Sequence, residues 1–353
     1  MNSYLKPAHR SSALLAAFVA VLSGGAVSSA QAADEVNIYS YREPGLIAPL
    51  LSEFTKETGI KTNVVYASKG LIERAAAEGK NSPVDVILTT GIKRLADAEE
   101  KGITQPIESA EVEANIPANY RDAGGHWVGL AQRARLVYAS KDRVKQDTIT
   151  YAELADPKWK GKICTRSGQH PYNIGLLASI IAHEGAEKAE AWARAVKNNL
   201  ARKPSGNDRA QVKGIYSGEC DIAIGNSYYM AAMQNNVKKP EQQEWAKSVK
   251  LLFPNSDDRG THVNISGAAL AKYAPHKSAG VKLIEFLASE KGQEIYADIV
   301  NEYPLKPGVP PSKLVSSWGT LKADKLPLED IAKYSGKASE IMDKVQYDLG
   351  PQS

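Results

Sequence analysis

EVNIYSYREPGLIAPLLSEFTKETGIKTNVVYASKGLIERAAAEGKNSPVDVILTT, residues 35–90, switches between two periods. VNIYSY is a short apolar run. Pro44 follows at a helix start, where its missing N–H costs nothing, and Leu46, Ile47, Leu50, Leu51 and Phe54 recur at helical spacing until Gly59. KTNVVYA predicts a second strand, Ser68 an N-cap for the helix in KGLIERAAAEGK, and VDVILTT a third strand. Strands alternating with crossover helices predict a parallel, doubly wound α/β sheet. Ligands of such sheets bind beyond the carboxyl ends of the strands, so Tyr39 to Arg42, Ala67 to Lys69 and Thr89 to Gly91 share one rim.

The pattern returns further along. GKIC leads through TRSGQHPY into the helix NIGLLASIIAHEG; AEAWARAVKNN and DRAQVKGIYSG read as helices, and the strand CDIAIG feeds the helix SYYMAAMQ. Ser227 is expected to cap that helix, which places Tyr228 and Tyr229 in its first turn. THVNISGAALA, a long helical stretch and NEYPLKPG then come back after the turn-rich FPNSDDRG. At 353 residues, two lobes joined by more than one crossing strand are expected, a hinged clamshell with its cleft between the strand ends. The boundaries expected are 33–132 plus about 260–303 for the first lobe, and about 133–259 plus 304–353 for the second.

Lys6 and Arg10 precede an apolar run over 13–21, and small residues with an A-x-A pattern follow, so residues 1–32 read as a cleaved signal peptide and the mature chain as periplasmic. No other stretch is long and apolar enough for a membrane span, and no cysteine near the cleavage point offers a lipid anchor. Losing Lys6 and Arg10 lowers the formal charge from +4 to +2, too little and too dispersed for a nucleic-acid or membrane footprint. In an oxidising compartment the two cysteines, Cys164 and Cys220, are expected to form one disulfide.

P-loop, G-x-S-x-G, H-E-x-x-H and C-x-x-C patterns are missing, and His126, His170, His183 and His262 stand at no metal-ligand spacing from one another. His183, beside Glu184, reads as a solvated helix-end residue. A binding protein is therefore expected rather than an enzyme. Three tyrosines, Tyr172, Tyr228 and Tyr229, fall on predicted rim loops or helix starts. A phenol titrates near 10 and ligates at neutral pH only where a strong positive charge favours its phenolate. A hard trivalent cation such as Fe(III) does so, and oxygen-only ligands select hard metals. Packing, or stacking on an organic ligand, is the plainer use of a tyrosine pair, and the residues alone leave both open. Arg42 and Arg133 could hold a small anion beside such an ion. Glu43 reads either as a further oxygen ligand or as a residue of its helix's first turn.

Residues 35–90, with GLAQRARLVYASKDRV, SGECDIAIGNSYYM and NEYPLKPG, together resemble the periplasmic ferric-ion-binding proteins of ABC iron-uptake systems, from Val36 to about Val309. That resemblance implies a two-lobed, type II periplasmic-binding fold that closes over one Fe(III) and passes it to an inner-membrane ABC permease, the carrier working as a monomer. It implies Tyr172 (in HPYN), Tyr228 and Tyr229 (in NSYYM) as iron ligands, and Arg42 and Arg133 on the side of an anion such as carbonate. Some members have a histidine or a further tyrosine where this chain has Glu43 and Pro44, so a fourth ligand from that loop is not implied. Tyr39 and Tyr41 are not expected to ligate. The rival in the same architecture is a carrier for polyamine, phosphonate or thiamine. It would call for a cleft rich in tryptophan or carboxylates, and the five tryptophans do not coincide with the tyrosine loops.

Overall fold

The computed structural model describes residues 34–351, so the expected signal peptide lies outside the described residues. β1 (Glu35–Ser40), β2 (Lys61–Tyr66) and β3 (Val86–Thr89) run parallel in the order β2-β1-β3. α1 (Pro44–Thr58) and α2 (Leu71–Glu78) make the crossovers. In α1, Pro44 occupies the first turn and Ile47, Leu50, Leu51 and Phe54 are buried; Gly59 ends the helix at φ 72°, a conformation without steric cost only for glycine. Phe54 meets Phe286 with ring centroids 5.6 Å apart, and truncating so buried a ring to alanine costs about 3–5 kcal/mol. Ser68 does not cap α2. Gly70, at φ 86°, turns the chain between Ser68 and the helix start, and no side chain caps that end.

α3 (Ile92–Glu100), β4 (Thr104–Gln105) and α4 (Ala110–Asn115) lead to β5 (Trp127–Ser140), whose 14 residues pass through the middle of the sheet. From there the order is β6 (Ile163–Cys164), α5 (Pro171–Glu184), α6 (Ala186–Asn198), α7 (Asp208–Tyr216), β7 (Ile222–Asn226) and α8 (Ser227–Gln234). β8 (Val249–Leu252), β9 (Val263–Ala271) and β10 (Tyr303–Pro304) complete the strands.

The sheet is mixed, where the alternating pattern predicted a parallel one. β9 returns between β3 and β5 and is antiparallel to both. Hydrophobic periodicity carries no strand direction, and β9 arrives from far along the chain. Trp127 to Ala134 of β5 pair with β9, whereas Arg135 to Ala139 pair with β7, so one strand serves both halves of the sheet. The Cys164–Cys220 disulfide is formed, with Cα atoms 5.8 Å apart, and ties β6 to the entrance of β7. His183 is not simply solvated. Its Nε2 lies 2.6 Å from Asp324 Oδ2, and Glu184 pairs with Arg259 at 2.7 Å.

Candidate metal centre

At the junction of β7 and α8 the backbone is held from several sides. The N–H of Asn226 donates to Asp208 Oδ2 at 2.7 Å, the Asn226 carbonyl accepts from Tyr138 Oη at 2.5 Å, and Asn226 Oδ1 accepts from Arg135 Nη1 at 3.0 Å. Gly225 makes room for this. A Cβ there would lie 2.1 Å from the Tyr138 ring. Ser227, expected as the cap, is instead the first helical residue, and its hydroxyl accepts the Ala134 N–H at 3.2 Å. Tyr228 and Tyr229 nevertheless stand in the first turn as expected, their ring centroids 4.4 Å apart.

Tyr172 also stands in a first turn, that of α5, behind Pro171, and its N–H donates to the ring of the N-cap His170 at 3.2 Å. Asn173 anchors the loop, donating to the Arg166 and Ser167 carbonyls at 3.0 Å each and accepting from Arg135 Nη2 at 2.6 Å. This brings the Tyr172 and Tyr228 hydroxyl oxygens to 3.2 Å. Tyrosines 56 positions apart in the sequence thus meet tip to tip, each rising from the positive end of a helix.

Around these rings lies a concentration of guanidinium groups. Arg133, Arg135 and Arg166 stand 5.7, 5.8 and 5.0 Å from the Tyr172 centroid, and Arg209 stands 4.9 Å from that of Tyr229. The Nε–H of Arg133, of Arg135 and of Arg166 is buried without an acceptor among the described residues. Asp208, fully buried, answers two of these charges, accepting from Arg135 at 3.1 Å and Arg166 at 3.0 Å. Burial, and then the neighbouring Tyr172 and Tyr229, push the Tyr228 phenol well above its ordinary value. Burial also raises Tyr229, with Tyr172 and Asp208 adding to it. Burial, reinforced by Arg166, Arg135 and Arg94, holds the His170 imidazole down at about 3, so that ring stays neutral. Burial therefore favours the neutral phenol at Tyr228 and Tyr229. The arginines around them set a positive field where any phenolate charge would lie.

Arg42 and Arg133 come together, although sequence spacing could not show what lies between them. Both face Glu302, at 2.5 Å from Arg42 Nη2 and 3.7 Å from Arg133 Nη1. Glu43 is exposed at the N-cap of α1 and makes no side-chain cap hydrogen bond. Tyr39 donates to Glu78 at 2.9 Å and Tyr41 accepts the Ile72 N–H at 2.8 Å, so both are committed away from the other tyrosines. Arg135, Arg166, Asp208, Arg209 and Glu302 pack around these groups and were not singled out from sequence. Arg166 stands six positions before Tyr172 and Glu302 lies in NEYPLKPG, but a lone charge in a loop carries no signal of burial. A 410 Å³ cavity lined by Arg121, Trp127, Leu328 and Glu329 shares no residue with the tyrosines.

Residues 39–294 match the family of bacterial extracellular solute-binding proteins. The chain belongs to that family. Iron uptake protein A1 of Synechocystis sp. is 43% identical to this solute-binding protein over 312 residues, 88% of this chain and 86% of the relative. Among solved structures, a Bordetella ferric binding protein superposes with a TM-score of 0.84 at 49% identity, covering 89% of this chain and all of that one (100%). A Trichodesmium protein solved with iron and citrate ligands gives 0.84 at 42% identity, with 89% and 99% covered. The solute-binding protein has the two-lobed type II periplasmic-binding fold that these structures share. Iron uptake protein A1 and the Bordetella protein are named for iron uptake and ferric binding, and neither name is that of an enzyme.

Proposed function

We propose that this protein is a periplasmic carrier that binds ferric iron and hands it to an inner-membrane ABC permease. It acts as a monomer, without a catalytic step and without nucleic acid. The observation that carries the reading is the meeting of the Tyr172 and Tyr228 hydroxyls at 3.2 Å, with Tyr229 stacked alongside, inside a ring of arginines. Three hard oxygen donors whose phenolate form a trivalent ion stabilises suit Fe(III) and no softer metal. Likeness to ferric-binding proteins at 42–49% identity favours this solute over an organic or oxyanion cargo.

In this reading Tyr172, Tyr228 and Tyr229 ligate the ion, and a small anion such as carbonate completes its shell, with Arg42 and Arg133 on the anion side. Glu43 is exposed and free to add an oxygen, although its place at the start of α1 serves the helix equally well. The lobes are 33–132 with about 260–303, and about 133–259 with 304–353, and β5 crosses between them near Ala134 and Arg135. All three tyrosines belong to the second lobe, and closure of the first lobe over them excludes water as a shift in population.

The test is optical. Ferric ion added to iron-free protein should produce a visible phenolate-to-iron charge-transfer band at one equivalent, and Tyr228→Phe with Tyr229→Phe should abolish it. Protein that stays colourless at neutral pH, with tyrosine fluorescence unmoved by ferric titration, overturns the reading.

A further inference from the structure

Arg42, Arg133, Ser266 and Glu302 form a closed cluster drawn from four segments: the end of β1, the middle of β5, β9 and the loop before β10. They are 4%, 2%, 1% and 1% exposed. Arg42 Nη2 donates to Glu302 Oε1 at 2.5 Å and also to Ser266 Oγ. Arg133 Nη1 donates to Ser266 Oγ at 2.8 Å and its Nη2 to the Thr90 carbonyl. Ser266 in turn donates to Glu302 Oε2 at 2.9 Å. A serine hydroxyl has one proton and two lone pairs, and all three are used here. The carboxylate therefore sits between two guanidinium groups as a planar oxyanion would, one oxygen toward the arginines and the other on the serine.

We propose that Glu302 is a built-in counter-anion that closes the Arg42–Arg133 pair to external anions. This rests on the ferric-carrier reading and changes one part of it: an anion that completes the iron shell bonds the metal without bonding to this pair. An incoming carbonate would have to expel a carboxylate that is 1% exposed, leaving that charge buried and unpartnered, which is the costly way to break a buried ion pair. Burial opposes ionisation of Glu302, yet Arg42 and Arg133 outweigh it and hold the carboxyl below the ordinary range, so the group is charged at neutral pH. Two guanidinium groups against one carboxylate leave one unit of positive charge. Arg133, 5.7 Å from the Tyr172 ring, presents that charge to the phenols. On this view the pair helps hold the phenolates and selects no anion.

The test starts with iron-free protein, so it does not depend on the metal. Thermal midpoints are measured in chloride, acetate and bicarbonate at matched ionic strength. Wild type should be indifferent to the anion. Glu302→Ala should melt lower and recover saturably with acetate or bicarbonate, an effect that a purely structural carboxylate would not give. Glu302→Gln, which fills the same space without charge, should melt lower and recover less. With ferric ion, Glu302→Ala should lose about tenfold in iron retention and regain it with bicarbonate. Saturable bicarbonate binding by wild type that Arg42→Met abolishes would overturn the proposal, as would a folded Glu302→Ala variant that no anion rescues. Should Glu302→Ala not fold, the wild-type and Glu302→Gln melts still decide. If no band forms under any condition, the iron reading fails while the iron-free melts keep their meaning.

Discussion

The hydroxyl oxygens of Tyr172 and Tyr228 stand 3.2 Å apart on the first turns of two different helices. Two phenolates at that distance repel by about 5 kcal/mol at an effective dielectric of about 20, so at least one keeps its proton until a cation replaces it. Ferric binding should therefore release protons into unbuffered solution, measurable by pH-stat. Tyr172→Phe and Tyr228→Phe should each weaken ferric affinity by at least about tenfold, as read by competition with a chelator, with circular dichroism unchanged. Wild-type affinity in either variant would remove that tyrosine from the site.

Asp208 holds the platform on which these tyrosines stand. It is the buried acceptor for Arg135, for Arg166 and for the Asn226 N–H that starts the Tyr228 helix. Asp208→Asn leaves two buried guanidinium groups without a counter-charge and should cost about 3–5 kcal/mol in urea unfolding. A loss below 1 kcal/mol, or about one surface pair's worth, would mean the network contributes little.

Stability should begin to fall as pH drops below the ordinary imidazole value. Burial, with Arg135 and Arg259 adding to it, pushes His262 down to about 3. A histidine held neutral in the fold protonates freely once unfolded, so its contribution is complete above the ordinary imidazole value of about 6.5 and is lost as pH drops toward the folded value. Between those limits the expected slope is about 1.4 kcal/mol per pH unit for this one proton. His170, also held at about 3, adds an equal slope, so in denaturation curves from pH 7 to 5 His262→Gln should remove about half of the combined slope; an unchanged slope in the variant would assign the acid sensitivity elsewhere.

The Cys164–Cys220 bridge closes a loop across 56 positions, and chain-entropy arguments value such a closure at about 4 kcal/mol. Reduction under mild denaturant, or Cys164→Ala with Cys220→Ala, should lower the melting temperature. Because the bridge joins β6 to the entrance of β7, the variant should also bind iron less tightly. Equal midpoints for oxidised and reduced protein would show that the bridge adds no stability.

Much of this molecule can be read along the chain because its causes are local. Pro44, the Ile47 to Phe54 spacing and Gly59 set α1 without help from any other segment. The first three strands and the first-turn position of Tyr228 and Tyr229 follow in the same way. Caps were less legible: the N-cap positions fall at Gly70 and Asn226 rather than at Ser68 and Ser227, and neither makes a side-chain cap hydrogen bond.

Composition and order along the chain singled out the three tyrosines, Arg42 and Arg133, the two cysteines and the α/β alternation, since these depend on residue type and near-neighbour spacing. Folding in three dimensions decided that β9 inserts antiparallel, that Tyr172 meets Tyr228, and that Glu302 sits between Arg42 and Arg133. Those outcomes join residues as far as 260 positions apart. Burial and charge pairing act through space, and a linear pattern holds no record of which distant side chain will arrive to neutralise a charge.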